Sequence, residues 1–141
     1  MKIKDKKLLT YSEYINIFLY LLERYKMTSL SKLIYTGIFL NHCTKLNCMT
    51  RKRNDVISFY FNELKLTNVL SYENISNAID SMNILVKNNI ILINNLDVVL
   101  INKKIDFIKE AKLEQASIGI LIEEINSLSS ESFIREVLNC V

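Results

Sequence analysis

Hydrophobic positions along the chain fall in blocks at helical spacing, separated by a few polar breaks. In SEYINIFLYLLERYK, Ile15, Phe18, Leu19 and Leu22 recur at i, i+3, i+4 and i+7. That spacing predicts a helix capped by Ser12 and running to about residue 26. Ile17, Tyr20 and Leu21 lie off the stripe and are apolar too. A helix apolar on most sides is either central in a core or covered by a second subunit. LSKLIYTGIFLNHC predicts a second helix of the same kind, beginning at Ser29 or Ser31. KLNCMTRKRN then breaks the pattern and reads as an exposed connection, after which DVISFYFNELKL resumes it with Ile57, Phe61 and Leu64.

The clearest periodicity belongs to the stretch from residue 71 to 88. Ile75, Ala78, Ile79, Met82, Leu85 and Val86 form one stripe, and Ser71 is a good N-cap. The opposite face carries Glu73, Asn77, Asp80, Ile84, Lys87 and Asn88. In NIILINNLDVVLIN the pattern turns to two short apolar runs, IILI and LDVVLI. They predict a hairpin across Asn94-Asn95, because asparagine tolerates the positive φ of a tight turn. A long helix is expected from about 104 to 126, with Ile118, Leu121, Ile122 and Ile125 as its core stripe. Ser129 or Ser130 then caps a short helix through SFIREVL. Ile120 and Phe133 either join that core or seat a partner. The expected fold is mainly α with one β-hairpin, a single winged-helix-like domain over residues 1–141. Two apolar N-terminal helices (1–46) precede the winged element (54–102), and a C-terminal helical segment (103–141) follows it.

Composition supports this reading. Half of the 141 residues are hydrophobic, and there are no prolines and only two glycines. Such a chain has a core to bury and few sharp turns, which favours helices. The many Asn, Ile and Lys residues look like the codon bias of an AT-rich genome, so the asparagines are discounted as signals. No stretch approaches the roughly 20 uninterrupted apolar residues of a membrane span. With three cysteines and no secretory signal, the expectation is a soluble, cytoplasmic protein in a reducing compartment.

Charge changes what the hairpin suggests. Residues 1–53 hold eleven Lys/Arg against three Asp/Glu, and residues 54–141 hold seven against twelve. A helix followed by a wing ordinarily points to DNA, yet the winged element has only Lys65 and Lys87 against five acids. Phosphate neutralisation supplies most non-specific DNA affinity, so such an element repels its target. Ile84 on the otherwise polar face of its helix suits a protein contact better. Any DNA or acidic-partner contact is expected at Arg51, Lys52 and Arg53, beside Lys45, with a second basic group at Lys2, Lys4, Lys6 and Lys7.

No catalytic or cofactor site emerges. His42 is the only histidine, and no serine or cysteine has a plausible triad context. Two isolated glycines make no phosphate loop. His42, Cys43 and Cys48 lie close together, but with only Cys140 left they barely meet the four ligands of a zinc site. Buried cysteines acting as small hydrophobes is the better reading. The expectation is a protein without enzymatic activity, metal or cofactor.

TRKRNDVISFYFNEL, followed by AIDSMNILVKNNIILINNLDVVLIN, resembles the small middle component of bacterial three-component ABC-ATPase systems, among them the small subunit of Lamassu-type anti-phage defence. The likeness is a hydrophobic outline over most of the chain, with Thr50, Arg51, Lys52, Ser58 and Phe59 carrying motif-level similarity. It implies a non-catalytic adaptor subunit of an SMC/Rad50-like coiled-coil ATPase, bridging the ATPase to an effector nuclease in anti-phage or anti-plasmid defence. DNA would then be touched only within the complex. The alternative is a dimeric winged-helix transcriptional regulator. A third option, a viral or plasmid helical interaction protein, would lack the hairpin.

Overall fold

The computed structural model describes residues 3–46, 56–66, 68–102 and 116–139. Six helices and one hairpin follow in the order α1 (Ile3–Tyr25), α2 (Leu30–Leu46), α3 (Val56–Leu66), α4 (Tyr72–Lys87), β1 (Ile91–Asn94), β2 (Asp97–Leu100), α5 (Ala116–Ser127) and α6 (Ser130–Leu138). The expected mainly helical fold with one antiparallel hairpin is therefore present. Part of the expected long helix, residues 103–115, lies outside the described residues, as do Lys2, Cys48 and Cys140.

α1 is the central helix, and its composition explains why. Ile17, Phe18, Leu19, Tyr20, Leu21 and Leu22 are all buried, so every side of this segment meets protein. α2, α4 and α5 pack around it. Its excess of apolar residues is thus covered within one chain. The helix starts well before Ser12, which is an exposed interior residue rather than the expected cap. Thr10 Oγ1 donates back to the Lys6 carbonyl at 3.0 Å, so polar residues here are accommodated inside the helix. Lys4, Lys6 and Lys7 accordingly stand on the first turns of α1.

Against α1 lies α4, capped as expected: Ser71 accepts from the Asn74 amide at 3.2 Å. Its buried face consists of Ala78, Ser81, Met82 and Leu85. Compared with the expected stripe, burial is rotated toward Ser81, which sits in the core by donating to the Asn77 carbonyl at 2.8 Å. The rotation follows from α1, whose Tyr11 hydroxyl donates to Asp80 at 3.1 Å and covers that flank. Ile79 is left partly in solvent instead. At the far end Asn89 takes φ 57°, while its amide bonds the Val86 carbonyl and that of Ile90 bonds Leu85. This is a Schellman closure with asparagine in the place glycine usually takes.

In the hairpin Asn94 pairs with Asp97, Ile93 with Val98, Leu92 with Val99 and Ile91 with Leu100. The turn is Asn95-Leu96, one residue later than expected, with the positive φ at Asn95. Ile91 and Val98 point into the core, whereas Leu92 and Val99 face outward. The segment between α1 and α2 joins the other side of β2. Val98 donates to the Thr28 carbonyl at 2.8 Å and Leu30 to the Leu96 carbonyl at 2.9 Å, with a single bridge between Ser29 and Asp97.

The C-terminal helices close the opposite side. Lys32, buried in α2, directs its ammonium at the carbonyls of Asn126, at 3.1 Å, and Leu128 at the end of α5. A cation satisfies orphan carbonyls where the helix dipole is negative. Asn126 in turn donates to the Tyr25 carbonyl at 2.9 Å, tying α5 to the end of α1. Ser129 caps α6 through the Ser132 amide at 3.1 Å, as its spacing predicts.

Candidate protein-binding groove

Four elements converge on one apolar groove. The hydrogen bond from Leu30 to Leu96 lays the hairpin turn over the start of α2. Ser29 Oγ lies 3.4 Å from Ser130 Oγ, which brings the start of α6 to the same place. Ile34 and Tyr35 of α2 form the floor with Ile75 and Ile79 of α4, and Leu96 and Ile134 stand at the sides. The cavity is about 280 Å³, and Asp97 is the only charged residue lining it among the described residues. Ile79, Leu96 and Ile134 all keep exposed surface, and Leu96 is 71% accessible. Three large apolar side chains thus leave surface in solvent around one concavity.

Among the described residues the polar side chains lining the groove are Ser29, Ser31, Tyr35, Asp97 and Ser130. Among the described residues no group of three His, Cys, Asp or Glu side chains could hold a metal ion. His42 is half-buried in α2. None of the described helices is long and apolar enough to cross a membrane.

The residues singled out from the sequence are scattered. Arg51, Lys52 and Arg53 lie outside the described residues, and Lys45 belongs to the last turns of α2. Ile84 is half-buried on α4 without joining the hydrophobic core, and Ile120 is exposed on α5. Phe133 is corrected as a partner contact. Its ring is fully enclosed, with centroids 6.3 Å from Tyr35 and 6.2 Å from Phe61, so α6 uses it to bind its own chain.

The sequence pattern does not show the groove, because it puts Ile75 and Ile79 in the core stripe and Leu96 in a strand. One signal was available: a leucine between Asn95 and Asp97, where a turn ordinarily carries polar residues.

The class defined so far is a mainly helical protein with an antiparallel hairpin and an apolar groove at the hairpin's turn. No family model, curated protein or solved structure matches the chain.

Proposed function

We propose that the chain is a non-catalytic adaptor built on a winged-helix plan, working as a subunit of an SMC/Rad50-like coiled-coil ATPase complex in anti-phage or anti-plasmid defence. The winged-helix assignment is supported by the pairing of residues 28–30 with β2. It supplies the short strand between the first two helices that this plan places beside the wing, with α3 as an added helix before α4. The protein-binding role rests on one observation. α4 and the hairpin turn, the parts a DNA-reading winged helix presents to the duplex, here meet over a groove lined by Ile79 and Leu96 and, among the described residues, charged only by Asp97. Such a surface desolvates apolar side chains readily and repels phosphate. The ATPase, and through it an effector nuclease, are partners implied by the family resemblance.

The test is co-expression with a coiled-coil ATPase encoded beside this gene. Stable co-purification is expected, with no ATP hydrolysis or DNA cleavage by the adaptor alone. Sequence-specific duplex binding by the purified chain, lost on Lys87→Gln, would establish the dimeric transcriptional regulator instead. Any contact of the complex with DNA should weaken on neutralising Arg51, Lys52 and Arg53 while binding of the ATPase persists.

A further inference from the structure

We propose that the groove receives the first turns of α1 from a second copy of this chain. Every residue from Lys4 to Leu9 is exposed, including Leu8 at 56% and Leu9 at 51%. Two adjacent leucines on one helix end, each with half of its surface in solvent, are apolar surface open to a partner. In its own copy α1 is held along α4 by the bond from Tyr11 to Asp80, which fixes where its first turns stand.

Charge selects this occupant. The first turns carry Lys4, Lys6 and Lys7 against Asp5 alone. The groove offers Asp97, and Glu73 stands in the first turn of α4, one of the helices that wall it, while Glu131 of α6 is paired with Arg135 at 3.3 Å. A basic, leucine-bearing helix end meets an acidic, apolar concavity, and such complementarity fixes the register of docking. Size agrees as well. At 280 Å³ the cavity is smaller than the roughly 300–1,000 Å³ of ordinary small-molecule sites and suits a pair of branched side chains. Because each copy has one helix end and one groove, reciprocal exchange about a two-fold axis closes a dimer.

The experiment uses the full chain alone. Light scattering is expected to show a dimer that dissociates on dilution. A photo-crosslinking residue at position 9, in a mixture of isotopically heavy and light copies, is expected to join different chains at Leu96 or Ile134. Leu8→Ser with Leu9→Ser should weaken association by about a hundredfold, as the loss of two buried leucines implies. Asp97→Lys should weaken it too, and Lys7→Glu added to Asp97→Lys should restore it. All these positions are exposed, and thermal unfolding of each variant checks that the fold is kept. A monomer at the highest soluble concentration overturns the proposal, as does a dimer indifferent to these substitutions or crosslinked elsewhere. The adaptor reading survives such a result, and the dimer survives failure to bind an ATPase.

Discussion

Gly37 and Thr36 sit side by side in α2 and answer to opposite constraints. A Cβ on Gly37 would lie 2.5 Å from Cε1 of Phe18, a ring that is itself fully buried. Alanine favours a helix by about 1 kcal/mol over glycine, but overpacking a filled core costs about 1–3 kcal/mol. Gly37→Ala is therefore expected to lower the urea midpoint, and a raised midpoint would show that the ring moves aside freely. Thr36 is fully buried, and its Oγ1 has no hydrogen-bond partner among the described residues. Removing an unsatisfied hydroxyl while keeping the side chain's shape relieves its desolvation penalty. Thr36→Val should stabilise by about 1 kcal/mol, readable as a higher melting temperature. Neither effect is visible in the sequence, since both depend on which neighbour lies opposite.

At the scale of elements, the C-terminal end of α5 depends on residues distant in sequence. Lys32 holds the carbonyls of Asn126 and Leu128, and burial lowers the pKa of its ammonium below the usual 10.5. Lys32→Met keeps the aliphatic stem and removes the donors, leaving carbonyls unsatisfied. The expected loss is about 1.5–3 kcal/mol, with faster amide exchange concentrated in α5 and α6. An exchange pattern changed evenly over the whole chain would show that the lysine does not tie these helices. Local signals served the elements well where a cap sets the boundary, as at Ser71 and Ser129. They failed at Ser12, where α1 runs straight through a residue that resembles a cap and begins at Ile3. Codon bias does not account for every asparagine: Asn89 and Asn95 occupy positive φ and close α4 and the hairpin. In a chain so poor in glycine, asparagine takes over those positions.

Across the whole molecule, the core is organised around one helix with aromatic residues on its flanks. Tyr14 is buried on α1 with its ring stacked 6.0 Å from Phe18. Burial raises its phenol pKa above 10.0, opposed by a hydrogen bond with Asn41 and helped by the charge of Glu13. The folded state thus keeps a proton that the unfolded chain releases near pH 10. Stability from this group is complete below that pH and drains away as pH rises toward the folded pKa. The stability difference between the natural chain and Tyr14→Phe should stay constant up to about pH 10 and shift against the natural chain above it. A difference that stays level through the alkaline range would mean that Tyr14 titrates normally.

The pairing of residues 28 and 98 also orders events in time. Two four-residue strands are marginal alone, and this hairpin gains its third neighbour only from a segment some seventy residues earlier. That contact closes a long loop, the slow kind of step in folding. β1 and β2 are therefore expected to persist only once the connection between α1 and α2 has reached Val98. The turn carrying Leu96 would then form late, and the groove with it.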